Sequence, residues 1–162
     1  MNQVAAEEMK LIDAEMKGLF QRYQRVFEKG LNGDVDAREV AAFYAPAFIA
    51  ASPAGVFTGK NDDALLQVMK EGYARYRQTG MKSMGLRDIS LAVIDDRHWV
   101  AHVSWTANYA RGGQPDVAIE FEVHYLIQKL HGKPKIFGWV SGDEQELLRQ
   151  HGIGPDTAGH PS

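Results

Sequence analysis

Between Val4 and Leu31 the apolar residues Met9, Ile12, Met16, Leu19, Phe20, Tyr23, Val26 and Phe27 recur three or four positions apart. That spacing predicts one long amphipathic helix with a single oily stripe. Asn32-Gly33 supplies a left-handed stop. Asp34 is then placed to cap a shorter helix through Phe43, which Pro46 closes. Residues 48–51 read as a short strand, Ser52-Pro53-Ala54-Gly55 as a turn, and a second extended piece starts at Phe57 and stops at Gly59. Asn61 can cap a third helix reaching Thr79, with Leu65, Leu66, Met69, Tyr73 and Tyr76 as its inner stripe.

After Gly80 the period changes from helical to alternating. The pattern predicts strands over 83–94, 99–110, 117–130 and 136–141, joined by the turn sequences IDDRH, RGGQP and HGKP. Residues 143–150 can add a last short helix. Helices first and an antiparallel meander after them predict an α+β fold with the helices gathered on one face of the sheet. Residues 1–153 read as one domain and 154–162 as a loose tail.

The stretch IEFEVHY, residues 119–125, sets Ile119, Phe121, Val123 and Tyr125 against Glu120, Glu122 and His124 on the opposite face. A one-residue slip would exchange the faces, so the apolar pattern selects the register. Centring the RGGQP turn on Gly113 pairs Trp105 with Phe121, Val103 with Val123 and Ala101 with Tyr125. His102 then meets His124, Ser104 meets Glu122, and Thr106 meets Glu120. The preceding hairpin pairs Val93 with Trp99, Leu91 with Ala101 and Ile89 with Val103, and Phe137 and Trp139 share the parity that suits Tyr125 and Ile127. One face is therefore aromatic and aliphatic across the meander and packs under the helices. The acidic stripe lies outside. Carried back, the same register puts Arg87 opposite Trp105 on the oily face. There it either fixes a ligand's anionic group or, as a strand-start arginine, reaches out to water or a helix carboxylate.

The 162 residues include 44% hydrophobic and 24% charged positions, as in ordinary globular domains. A net charge of −3 and no basic cluster argue against nucleic acid or an anionic membrane surface as partner. The absence of cysteine excludes disulfides, thiolate metal sites and cysteine nucleophiles. The N-terminus lacks the basic and apolar regions of a signal peptide, and no apolar run spans a membrane, so a cytoplasmic location is expected.

The order of motifs resembles a known group. A long helix is followed by Asn32-Gly33-Asp34, then Phe43-Tyr44-Ala45-Pro46, then a strand and the SPAG turn. Gly59-Lys60, a third helix, a meander and Gly142-Asp143 complete it. This order, over Leu19 to Ile153, resembles the nuclear transport factor 2-like superfamily, in particular its SnoaL-like polyketide cyclases and ketosteroid isomerases. The resemblance implies a cystatin-like cone, three main helices on a strongly curved, mostly antiparallel sheet, enclosing a pocket. It also implies dimerisation through the outer sheet face. Ketosteroid isomerases carry a general-base aspartate before the proline of the turn after the first strand, and here that position is Ser52. Their oxyanion tyrosine falls at Val26 and Phe27, with Tyr23 a turn earlier, and their second acid falls among Glu122, His124 and Tyr125. Without the base, that family's steroid chemistry is not implied here.

Other constellations add little. His102 and His124 lie opposite each other, but the pattern fixes no third strong ligand, so no metal and no cofactor are expected. Asp88, Ser90 and His102 lack a nucleophile elbow, and GKNDD lacks phosphate-loop spacing. The expected function is reception of a small apolar or aromatic molecule in a conical pocket. Trp99, Trp105, Tyr109, Tyr125, Phe137 and Trp139 are its candidate walls, and Arg87 is a candidate anchor. An isomerase, cyclase or dehydratase is the enzymatic form of that reading, and the sequence does not decide whether chemistry follows binding. The alternative is a non-catalytic dimeric interaction module whose cone is filled by its own side chains. A homodimer is expected on either reading.

Overall fold

The computed structural model describes residues 3–153. The expected tail, 154–162, lies outside them. Helix α1 spans Gln3–Leu31 and buries Met16, Leu19, Phe20, Val26 and Phe27 along the predicted stripe. It ends at Gly33, whose φ of +87° lets the Asp34 N–H turn back to the Lys29 carbonyl at 2.9 Å. The next helix, α2 (Ala37–Ala41), starts later than Asp34 predicts. Asp36 is its N-cap, its carboxylate accepting from the N–H groups of Arg38 and Glu39. Tyr44 and Pro46 are already in strand β1 (Tyr44–Ser52), which pairs with β2 (Gly55–Lys60).

Asp62, not Asn61, caps α3 (Asp63–Gln78). Asn61 instead donates its side-chain amide to the carbonyls of Ala41 and Tyr44, tying α2 to the start of β1. Strands β3 (Met81–Val93), β4 (His98–Arg111), β5 (Gln114–Gln128) and β6 (Lys135–Ser141) form the meander, and α4 (Glu144–Gln150) follows. The sheet order is β2-β1-β6-β5-β4-β3, curved and unclosed, with β1 and β6 parallel and every other pair antiparallel. This is the expected α+β cone.

The β4–β5 register matches the predicted pairing, including Trp105 with Phe121 and His102 with His124. The β3–β4 hairpin also pairs Val93 with Trp99 and Ile89 with Val103. Burial alternates along β4, where Trp99, Ala101, Val103, Trp105, Ala107 and Tyr109 are all buried. These side chains form one core with α1, α3 and the inner side of β5. No described helix is long and apolar enough to cross a membrane.

Two bulges change the outcome at the strands' ends. In β3 the register shifts between Leu86 and Asp88, so Leu86 faces Trp105 and Arg87 is the extra residue. Gln24 of α1 accepts the Leu86 N–H at 2.7 Å, holding the strand at this shift. In β5–β6 the register shifts between Leu126–Gly138 and Ile127–Ile136. Ile136 takes the inner position, 0% exposed, and Phe137 is turned toward His98 on the outer side, ring centroids 6.1 Å apart.

Candidate functional site

The inner end of the cone is built from tyrosines on different elements. Helical spacing along α1 aims Tyr23 inward one turn before Phe27, strand parity aims Tyr125 inward from β5, and Tyr44 opens β1. The Tyr23 hydroxyl lies among those of Tyr44 and Tyr125, close enough for each to influence its ionisation, and the Tyr23 and Tyr125 rings are centred 6.0 Å apart. Trp105 donates its indole N–H to the Tyr125 hydroxyl at 3.3 Å. Aromatic edges and faces fill the space between, with Phe20 centred 4.8 Å from Tyr125 and Tyr23 5.8 Å from Trp105. Burial raises all three tyrosines, keeping their hydroxyls protonated donors at neutral pH.

Opposite this cluster stands Glu144. Asp143 caps α4 through the Glu146 N–H at 3.0 Å, which fixes Glu144 as the first helical residue and turns it back over the cone. Tyr76 of α3 donates its hydroxyl to the Glu144 carboxylate at 3.3 Å. Burial pushes the Glu144 carboxyl above its ordinary value, and the Tyr76 hydrogen bond opposes part of that rise. Tyr109, desolvated and within the field of Glu144, is pushed up to about 12.

Two connected spaces border these groups. An inner cavity of about 80 Å³ touches Tyr23, Tyr76, Trp105, Tyr109, Tyr125 and Glu144. An adjoining cleft of about 700 Å³ opens between α3 and the β1–β2–β6 side of the sheet. Its walls include Tyr44, Phe48, Leu65, Tyr73, Tyr76 and Trp139, and it shares Tyr23, Tyr125 and Glu144 with the inner cavity. Phe48 and Trp139 stack there, centroids 5.1 Å apart and 25° between planes. Gly59 permits this stack, because a β-carbon on it would lie 2.5 Å from the Phe48 ring.

The structure sorts the sequence-predicted walls. Trp105, Tyr109, Tyr125 and Trp139 border the two spaces. Trp99 faces inward but sits deeper along the strand, 4% exposed between Val93 and Ile127, where it packs as core. Phe137 departs from its expected parity because the β6 bulge rotates it outward. Arg87 is not opposite Trp105. The β3 bulge puts it on the outer side, where its guanidinium lies 3.8 Å from the Glu120 carboxylate. Sequence reasoning did not reach Tyr44, Phe48 or Glu144. Tyr44 was absorbed into a helix end. For Glu144 the Asp143-x-x-Glu146 capping pattern was the usable signal, since it places the intervening residue at a helix start.

The acidic stripe is on the outer face, as the register predicts. His102 and His124 meet there with Nδ1 atoms 2.7 Å apart, and Ser104 donates to Glu122 at 3.3 Å. Each imidazole thus engages the other through one ring nitrogen. Ser52, at the isomerases' base position, accepts the Ala54 N–H at 3.1 Å and closes its own turn.

Comparison with known proteins places this geometry. A search of curated protein sequences finds no match. Among solved structures, an NTF2-like protein with a cystatin-like fold from Novosphingobium aromaticivorans superposes with a TM-score of 0.64 at 13% identity, covering 85% of this chain and 86% of that one. A candidate scytalone dehydratase from the same organism gives 0.59 at 14% identity, covering 83% and 85%. A candidate calcium/calmodulin-dependent protein kinase II association domain from Xanthomonas campestris gives 0.56 at 15% identity, covering 79% and 84%. At these identities the likeness is one of fold. The model of the family described as NTF2-like protein (DUF6841) matches residues 14–144, most of the sequence, and the chain belongs to that family.

Proposed function

We propose that this protein receives a small, largely apolar organic molecule in the cleft between α3 and the β1–β2–β6 side of the sheet. The observation that carries this reading is the cleft's volume of about 700 Å³ beside an aromatic wall, with the charged residues Lys60, Asp62 and Arg75 at exposed positions. Small-molecule sites commonly measure about 300–1,000 Å³ and combine apolar walls with a few placed polar groups. Here the polar groups at the inner end are the hydroxyls around Tyr23 and the carboxylate of Glu144, while Thr58, Lys60, Asp62, Arg75 and Ser141 stand elsewhere along the cleft. A cone filled by its own side chains, as an interaction module would have, leaves no such space. Proton transfer on the bound molecule, as in isomerisation, cyclisation or dehydration, is the enzymatic form of this reading, and one structural neighbour bears a dehydratase's name.

A second copy is the partner we propose for the outer sheet face. Ile49 and Val140 are 44% and 46% exposed there, flanking Leu126 and the His102–His124 pair. Native mass spectrometry of gently purified protein tests both points. A dimer carrying extra small-molecule mass, reduced when Gly72→Leu obstructs the cleft, is expected. Adduct-free protein after incubation with a metabolite extract would overturn the ligand reading, and a monomeric mass would overturn the dimer.

A further inference from the structure

The inner cavity carries a charge without a counter-charge. Among the described residues its lining includes Glu144 and no lysine, arginine or histidine. In the adjoining cleft the basic residues are Lys60 and Arg75, both exposed. None of the ion pairs among the described residues involves Glu144. Its hydrogen bond from Tyr76, at 3.3 Å, is long for a hydroxyl donating to a carboxylate, where about 2.5–2.7 Å is usual. The carboxylate is thus half-buried and weakly satisfied.

Its field also reaches far. The negative charge of Glu144 contributes to raising Tyr23 on α1, Tyr76 on α3, Tyr109 on β4 and Tyr125 on β5. Around it stand aromatic rings, whose faces are electron-rich and attract cations. A cation near Glu144 gains from the carboxylate and from the rings together. An anion is repelled by both, and a neutral donor can hydrogen-bond the carboxylate but lacks the charge attraction to it and to the ring faces. The inner cavity's 80 Å³ has room for an ammonium head group, while the cleft's 700 Å³ has room for the body attached to it.

We propose that the site selects an organic cation: an apolar, ring-bearing molecule whose protonated amine enters the inner cavity, pairs with Glu144 and lies against the surrounding tyrosine and tryptophan rings. This rests on the reading of the cleft as a ligand site. It assigns Glu144 as the residue that determines specificity, with Tyr76 positioning it.

Three molecules with one indole body separate the two levels of the claim. Tryptamine, tryptophol and indole-3-acetate carry an ammonium, a hydroxyl and a carboxylate on similar side chains. Isothermal titration calorimetry at neutral pH is expected to rank tryptamine at least tenfold tighter than tryptophol, with indole-3-acetate weakest. Glu144→Gln is expected to weaken tryptamine at least tenfold and so abolish its preference over tryptophol, and Glu144→Asp to keep part of that preference. Circular dichroism confirms that each variant is folded. Should Glu144→Gln fail to fold, the ranking on the unmodified protein and on Glu144→Asp carries the test. Equal affinities for tryptamine and tryptophol, or a tryptamine preference that survives Glu144→Gln, overturn cation selection and leave the cleft reading intact. Failure of all three to bind, or binding unchanged by Gly72→Leu, overturns both.

Discussion

Gly72 offers a direct test of the space under α3. It lies in the interior of that helix and lines the cleft, and a β-carbon built on it would meet no heavy atom within 4 Å. Glycine inside a helix costs about 0.8–1.0 kcal/mol relative to alanine, because its unfolded chain has more freedom to lose. With no contact to oppose the methyl group, Gly72→Ala should recover nearly all of that. For a domain of this size, about 1 kcal/mol corresponds to roughly 2–4 °C in Tm. Gly30 on α1 is the matched control. It is also helical, but its β-carbon would sit 2.6 Å from the Tyr73 ring, so the same propensity gain is opposed by displacement of a buried aromatic side chain. Overpacking of that kind costs about 1–3 kcal/mol, which exceeds the gain, and Gly30→Ala should lower Tm. Thermal and urea unfolding followed by far-ultraviolet circular dichroism measures both, and an unchanged urea m value shows that only stability moved. A fall in Tm for Gly72→Ala, or an equal rise for both variants, would refute the packing of α1 and α3 and the open cleft beside it.

Further outcomes are expected elsewhere. Arg87→Ala should change stability by less than about 0.5 kcal/mol and leave ligand affinity unaltered, since its pairing with Glu120 is solvent-exposed; a lost ligand signal would return Arg87 to the pocket. Glu144→Gln should stabilise the protein at neutral pH. The Glu144 carboxyl is raised in the fold, so the native state holds its proton more tightly than the unfolded chain, and its contribution is present below the ordinary value of 4.5 and lost as pH rises through the folded value. The variant's advantage in thermal melts should therefore vanish below about pH 4, and an advantage independent of pH would contradict the burial of that carboxylate. Spectrophotometric titration should find Tyr109 ionising near pH 12 and Tyr44 and Tyr125, raised well above their ordinary value by burial, not ionising while the fold persists; either buried tyrosine titrating at its ordinary value would mean that the cluster is wet.

The central hairpins were legible because alternation over β4 and β5 is long and uninterrupted, so one register alone brings Trp105, Val103 and Ala101 to apolar partners. The bulges were not. An extra residue leaves no compositional mark, and past it every parity is exchanged, which moved Arg87 and Phe137 from the inner to the outer face. Cap positions slipped by one or two residues because several Asp and Asn side chains compete for each helix start, and backbone geometry chose Asp36 and Asp62. Half of the site was legible for the same reason: Trp105, Tyr109, Tyr125 and Trp139 obey strand parity. Glu144 depends on a contact with Tyr76 across 68 positions, and no local period reports where so short a helix docks.

The parallel pairing of β1 with β6 has a consequence for the order in which the chain can mature. Tyr44 finds its partner only at Ile136, and the β1–β2 hairpin joins the remaining sheet through that seam. During synthesis the hairpin therefore emerges long before the strand it needs, and its inner edge stays unpaired until residues 135–141 have left the ribosome. Such a long-range closure must be made before it is rewarded, which favours slow completion of folding after release and a period in which an open strand edge is vulnerable to association. The α1–α3 layer and the β3–β5 meander face no such wait, so the wall bearing Phe48 should be the last part of the cleft to form.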